Sequence, residues 1–92
     1  MPALPDNQIA TSIAALDGWS REHDMIVKTY ELPTFPEAIT FVTKVADLAD
    51  AADHHPDIDI RYRKVRIALS THDAGGITQK DFDLAGDIEA IG

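Results

Sequence analysis

Histidine is concentrated in one region of this chain, where His54, His55 and His72 are three of its four histidines. An unperturbed imidazole pKa of about 6.5 lets this side chain give and take protons near neutral pH. The pattern therefore predicts proton-transfer chemistry. Metal binding is the first alternative, because three imidazoles could hold zinc together with a water molecule. The adjacent His54 and His55 project in different directions, however, so we expect no metal site.

A turn between a helix and a strand is predicted to carry the two adjacent histidines. Thr34 and Glu37 have the spacing of a capping box, which predicts a helix that runs to about Ala52. Pro56 ends this helix, because proline disfavours the α conformation in the residue before it. The apolar stripe expected to be buried consists of Phe35, Ala38, Ile39, Val42, Val45, Ala46 and Ala49. A turn held this rigidly is a typical location for functional residues.

A predicted β-hairpin brings the third histidine to the other two. Residues 57–62 and 65–71 alternate polar and apolar side chains, and residues 63–64 form the link between them. In the second strand, the side chains expected to point inward are those of Val65, Ile67 and Leu69. In an antiparallel pair the start of one strand lies beside the end of its partner. We therefore expect His72 to share one rim of the sheet with the other imidazoles.

Carboxylates accompany the histidines along the chain. Asp50 stands four residues before His54, so it could lie one helical turn away and orient that ring. Asp53, Asp73 and Asp81 are also close in sequence, and nearby carboxylates favour protonated imidazole and can tune an acid/base pair. Asp81 has a structural interpretation as well, since it occupies the carboxylate position of a capping box. The two roles are compatible.

The remaining periodicity predicts two more helices and a second hairpin. Asp6 is expected to cap a helix from about Asn7 to Leu16, and Thr78 to begin the last helix. Between them, residues 20–24 are expected to form the tail of a strand and its turn, before a strand over residues 25–32. The order α-β-β-α-β-β-α predicts an α+β fold, a four-stranded antiparallel sheet with helices packed on one face.

The composition limits the classes of partner. The 92 residues contain no linker-like stretch, so a single domain, 1–92, is expected. A net charge of −8 argues against direct binding to nucleic acid or anionic membrane, and the basic segment 61–66 is interpreted as the charged end of a hairpin. No apolar run approaches the roughly 18 residues of a membrane span, and no secretory signal is evident, so a cytoplasmic protein is expected. The absence of cysteine excludes disulfides and thiolate catalysis.

These residues together resemble a known family, that of pterin-4a-carbinolamine dehydratase. The pattern that carries the resemblance is Asp50-x3-His54-His55-Pro56, then Tyr62, His72 and Asp81. The segments Lys64–His72 and Asp81–Ala85 are also similar to the family, as are Gly18-Trp19 and the strand that follows. The resemblance therefore covers almost the whole chain, and the spaced His-His-Pro and Thr-His elements make it specific.

The resemblance implies both a fold and an activity. The family fold is a four-stranded antiparallel sheet with helices on one face. Its enzymes convert 4a-hydroxytetrahydrobiopterin to quinonoid dihydropterin plus water, which recycles the cofactor of aromatic amino acid hydroxylases, and the pterin is their substrate rather than a cofactor. By this resemblance, His54 and His72 form the acid/base pair and His55 is a third imidazole that helps to bind or activate the substrate. The resemblance also implies contacts with the pterin from Asp53, Ser70, Thr71, His72 and Asp73, with Asp81 at the site edge.

Some alternatives stay open at the level of sequence. Family relatives include dimerisation cofactors of a homeodomain transcription factor and assembly factors for other enzymes, so a protein-binding module is the alternative to an enzyme. Which histidine is the acid and which the base is not assigned. The resemblance implies a homodimer or homotetramer. Ile58 stands where many relatives have tryptophan, which predicts a reduced aromatic rim over the pterin.

Overall fold

Two antiparallel hairpins and three helices form the protein, described by a computed structural model over residues 2–92. The helices are α1 (Asp6–Ala14), α2 (Phe35–Ala52) and α3 (Gln79–Ile91). The strands are β1 (Ser20–Glu22), β2 (Met25–Glu31), β3 (Asp57–Arg61) and β4 (Lys64–Leu69). This is the predicted order, with one additional 3-10 turn before α3. Within residues 2–92, no helix has both the length and the apolar character needed to cross a membrane.

The four strands form one antiparallel sheet in the order β1-β2-β4-β3. In the two central strands, Ile26 lies opposite Leu69, and Ile67 lies one pleat further along on the same face. These three side chains are completely buried and belong to one apolar cluster with residues from all three helices. The helices therefore cover a single face of the sheet, and the predicted α+β fold is confirmed. The inward direction of the alternating residues in β4 is confirmed with it.

The buried face of α2 is rotated relative to the predicted stripe. The residues that α2 buries are Ala38, Phe41, Val45 and Ala49. Phe35, Ile39 and Ala46, which were expected in the stripe, are exposed. Phe35 lies in the first turn of the helix, and its ring stacks on Tyr62 with the centroids 6.4 Å apart. Because a stripe of seven apolar residues is wider than the contact with a sheet, tertiary packing decides which edge is exposed.

Three predicted boundaries are wrong by one or two residues. Pro5, not Asp6, is the N-terminal cap of α1, and its side chain has no atom that can accept a cap bond. The carboxylate of Asp6 instead pairs with Arg21 at 2.9 Å. Helix α1 ends at Ala14 rather than Leu16, because the N–H groups of Ala15 and Leu16 donate to carbonyl oxygens three residues back. The link between β3 and β4 consists of residues 62–63, since Lys64 is already paired in the sheet. The predicted Thr34 cap of α2 is confirmed.

A partly buried carboxylate ties α3 to the sheet at the end remote from the histidines. Oε1 of Glu89 accepts hydrogen bonds from Nε1 of Trp19 at 2.8 Å, from Nζ of Lys28 at 2.5 Å and from the hydroxyl of Tyr30 at 2.6 Å. Burial opposes ionisation of Glu89, but the bonds from Lys28, Tyr30 and Trp19 outweigh it and lower the pKa of this carboxyl. Burial, together with the adjacent Glu89, raises the pKa of Tyr30.

We expect Glu89→Gln to lower the free energy of unfolding by about 1–3 kcal/mol at pH 7, because it weakens charge-assisted hydrogen bonds. A carboxyl whose pKa is lower in the folded state stabilises the protein above its unfolded pKa, and that contribution is lost as the pH falls. The difference from wild type should therefore shrink between pH 7 and pH 3. Urea titrations at both pH values measure it, with the exposed Asp87→Asn as the control. A difference that grows on acidification would contradict the prediction.

Candidate active site

The turn after α2 holds the two adjacent histidines, as predicted. Helix α2 ends at Ala52, and Asp53 follows as its C-terminal cap in the left-handed conformation, with φ of 50°. The backbone N–H of His54 donates to the carbonyl oxygen of Ala49 at 3.1 Å. Pro56 then prevents the helix from continuing. The left-handed residue turns the chain sharply, so consecutive side chains leave this turn in different directions.

The side chain of His54 packs against a buried carboxylate. Its Nε2 lies 2.5 Å from Oδ1 of Asp81, and the exposed fraction is 11% for the imidazole and 0% for the carboxylate. The other oxygen of Asp81 accepts from the hydroxyl of Thr71 and the backbone N–H of Thr78, each at 2.9 Å. The bond from Thr78 is one of the two bonds of the capping box at the start of α3. The predicted capping box of Thr78 and Asp81 is therefore confirmed. One carboxylate therefore both caps a helix and orients an imidazole.

Asp50 contacts His55 and not His54. Nε2 of His55 lies 2.9 Å from Oδ1 of Asp50, and both side chains are largely exposed. The expectation that Asp50 orients His54 is therefore wrong. The physical reason is the sharp turn at Asp53, after which the first imidazole lies inward against α3 and the second lies over the last turn of α2. An exposed pair of this kind adds little stability, but it restricts the position of the His55 ring.

The third histidine lies in the 3-10 turn, His72–Ala74, which follows β4. Strand β4 ends at Leu69 rather than at the predicted Thr71, because Thr71 pairs with Gly76 across a tight loop. The backbone N–H of Thr71 donates to the carbonyl oxygen of Gly76 at 2.9 Å. This loop holds the exposed imidazole at the end of the sheet, beside the turn that follows α2.

All three imidazoles border one surface depression of about 270 Å³, here called the histidine depression. Its lining residues are Asp53, His54, His55, Ser70, Thr71, His72, Asp73 and Lys80. The structure thus brings together every residue that the resemblance assigned to substrate contact, with the exception of Asp81, which lies behind His54 and is completely buried. Lys80 was missed in the sequence, although its place in the first turn of a helix capped by Thr78 was a usable signal.

A second depression, of about 300 Å³, continues from the first around the shared residues His55, Ser70 and His72. We call it the carboxylate depression, and its other lining residues are Asp24, Met25, Asp57, Ala68, Gly75 and Gly76. Sequence reasoning missed these residues. In the structure, the register of the β3–β4 hairpin places Asp57 beside Ala68. The β1–β2 turn approaches this depression because of the order of the strands in the sheet.

The arrangement is suited to moving protons within a small polar ligand. Imidazoles border the histidine depression from two chain segments, and hydroxyl, carboxylate and ammonium groups surround them. Positioned acid/base groups of this kind typically contribute about 10²- to 10⁴-fold to a rate. Within the described part of the chain, no group of three or more histidine, cysteine or carboxylate side chains is arranged to hold a metal ion.

Comparison with known proteins gives a consistent result over the whole chain. The family model described as pterin 4 alpha carbinolamine dehydratase matches residues 2–91. A protein of Roseiflexus sp. (strain RS-1), provisionally named pterin-4-alpha-carbinolamine dehydratase, is 59% identical over 88 residues, which are 96% of this chain and 95% of that protein. A relative with the same provisional name from Chloroflexus aurantiacus (strain ATCC 29366 / DSM 635 / J-10-fl) is 58% identical over 91 residues, which are 99% and 98% of the two chains.

Solved structures agree with the fold. The crystal structure of a transcriptional coactivator/pterin dehydratase from Brucella melitensis superposes with a TM-score of 0.93, at 30% identity and with 97% of each chain covered. A pterin dehydratase-like protein, identified as a RuBisCO assembly factor in the alpha-carboxysome, has a TM-score of 0.65 at 19% identity, with 79% of this chain and 84% of that chain covered. The latter likeness concerns the fold alone.

Proposed function

Because this chain belongs to the pterin 4 alpha carbinolamine dehydratase family, we propose that it dehydrates 4a-hydroxytetrahydrobiopterin to quinonoid dihydropterin. The observation that carries the proposal is the convergence of three imidazoles on one depression, with His54 held by the buried carboxylate of Asp81. A fold used only as a scaffold has no need of this arrangement. The product would return to an aromatic amino acid hydroxylase after reduction.

The reaction requires one proton donor and one proton acceptor. The bond between C4a and its hydroxyl oxygen breaks, and the hydroxyl leaves as water after it accepts a proton. N5 loses its proton, and the electron pair of that N–H bond forms the new double bond between N5 and C4a. The proton taken from N5 balances the proton given to the leaving group, so the reaction needs no oxidant or reductant.

We assign the acceptor role to His54. When Asp81 accepts the proton on Nε2, the lone pair of the neutral ring lies on Nδ1, which can take the proton from N5. The same carboxylate then stabilises the imidazolium that forms, as in other acid–base pairs of carboxylate and histidine. Asp81 is a positioning residue in this scheme, because its burial keeps it from the substrate.

The donor role falls to His72, which borders the same depression from the loop after β4. Its ring is exposed at the start of the 3-10 turn, where it can protonate the leaving hydroxyl. His55, restricted by Asp50, would hold the substrate between the two. The side chains proposed to line the pterin ring are Asp53, Ser70, Thr71 and Asp73.

Comparison of the wild type with His72→Ala tests the proposal. We expect purified wild-type protein to accelerate the formation of quinonoid dihydropterin, followed by absorbance, and the variant to lose about 10²-fold or more of that acceleration. The exposed position of His72 makes a folding defect a poor explanation for such a loss. A well-folded wild type that gives no acceleration would overturn the proposed activity.

A second candidate function is a protein-binding module, and two observations favour it. The related structure from Brucella melitensis is described as a transcriptional coactivator as well as a pterin dehydratase. In this chain, Phe35 and Tyr62 form an exposed stacked pair, with exposed fractions of 45% and 71%. Binding through this pair would survive His72→Ala, whereas turnover would not.

We also propose self-association into a homodimer or homotetramer. Strands β1 and β3 form the two edges of the sheet, and an exposed edge can pair with a second copy. Light scattering with size-exclusion chromatography would give the mass directly. A monomeric mass at all accessible concentrations would exclude this part of the proposal.

A further inference from the structure

The carboxylate depression lies on the sheet face that the helices leave uncovered. Asp57 pairs with Ala68 and Ala68 pairs with Val27, so these three residues share one face. The buried Ile67 and Leu69 point to the opposite face, toward the helices. Asp24 reaches the same depression from the β1–β2 turn. The site therefore continues beyond the histidines, around the end of the sheet and onto its open face.

The two depressions differ in the charges that they present. The histidine depression combines carboxylates with the ammonium of Lys80. The carboxylate depression contains Asp24 and Asp57, neither of which belongs to an ion pair within residues 2–92. Among residues 2–92, no lysine or arginine lines it. The carboxylates of Asp24 and Asp57 can therefore accept hydrogen bonds but cannot donate them.

The proposed substrate also extends in two directions from its reacting atoms. On one side of C4a is the pyrimidine half, which carries N–H donors and a carbonyl acceptor. On the other side, C6 is bonded to N5 and carries the substituent, which in the biopterin series bears hydroxyl groups. The mixed charges of the histidine depression match the pyrimidine half, and the acceptors of the carboxylate depression match hydroxyl donors.

We propose that the carboxylate depression receives the substituent at C6, and that Asp24 and Asp57 select a hydroxylated substituent over an apolar one. This inference rests on the proposed dehydration and assigns its substrate preference. Hydroxyl groups on the substituent would donate to the two carboxylates, while Met25 and Ala68 provide apolar contact for its carbon atoms. The shared residues His55 and His72 would then lie beside the reacting atoms between the two halves.

The experiment compares two substrates that differ only at C6. Values of kcat/KM are measured for 4a-hydroxytetrahydropterins with a 6-dihydroxypropyl or a 6-methyl group. We expect wild type to favour the dihydroxypropyl substrate by about tenfold, the size of one or two partly exposed charge-assisted hydrogen bonds. In the double variant Asp24→Ala/Asp57→Ala, the ratio of the two kcat/KM values should fall to about one.

A matched control removes the same charge elsewhere. Asp47 and Asp87 are exposed carboxylates on α2 and α3, outside both depressions, so Asp47→Ala/Asp87→Ala should keep the wild-type ratio. A ratio that is unchanged in Asp24→Ala/Asp57→Ala, or one that falls equally in the control, would overturn the inference and leave the dehydratase intact. Failure of wild type to dehydrate either substrate would overturn both.

Discussion

Replacing His54 with alanine is expected to lower the rate of quinonoid dihydropterin formation by about 10²- to 10⁴-fold, the usual contribution of a positioned acid/base group. His54 is the histidine that the protein holds most firmly, with an 11% exposed side chain against a buried carboxylate. We expect the loss to appear in kcat rather than in KM, because the other two histidines still border the depression. Stopped-flow absorbance under saturating substrate measures it.

Two further variants separate chemistry from folding at this position. His54→Gln keeps an amide that can donate to Asp81, so it should fold like the wild type while it remains unable to exchange protons. His23→Asn is the matched control, since His23 is exposed in the β1–β2 turn with φ of 55°, a conformation that asparagine tolerates. Turnover at a wild-type rate by His54→Gln would remove His54 from the proposed mechanism.

Replacing Asp81 is expected to affect stability and catalysis together. Asp81→Ala removes the partner of His54, Thr71 and Thr78 at once and leaves buried polar groups unpaired. We expect it to lower the free energy of unfolding by about 3–5 kcal/mol, the range typical of breaking a buried ionic network. For a domain of this size that is a large part of the total stability. Urea denaturation followed by circular dichroism measures the change.

The catalytic part of this prediction needs a variant that folds. Asp81→Asn keeps the shape and one acceptor oxygen, but it removes the negative charge that would stabilise the imidazolium formed when His54 takes the proton from N5. We expect kcat to fall by about tenfold or more while KM stays close to the wild-type value, because Asp81 is buried away from the substrate. Asp87→Asn on the same helix is the control. An unchanged kcat with lowered stability would limit Asp81 to helix capping.

Local chemistry determined most of the fold. The caps at Thr34 and Thr78 and the break at Pro56 act over a few residues, so the helices they bound could be predicted from sequence. Alternation in β3 and β4 predicted the hairpin and the approach of His72 to the turn after α2. These features depend on neighbours in the chain, and the sequence by itself was sufficient for them.

Only the tertiary structure decided how the side chains pair. Asp50 and Asp81 were both plausible partners of His54 in sequence. The left-handed turn at Asp53 directs the His54 ring toward Asp81 on α3, and His55 contacts Asp50 instead. The inclusion of Asp24 depends on the order of four strands in the sheet. Periodicity specifies which face of an element is apolar, but contacts between distant elements arise only when all of them pack together, and those contacts define this site.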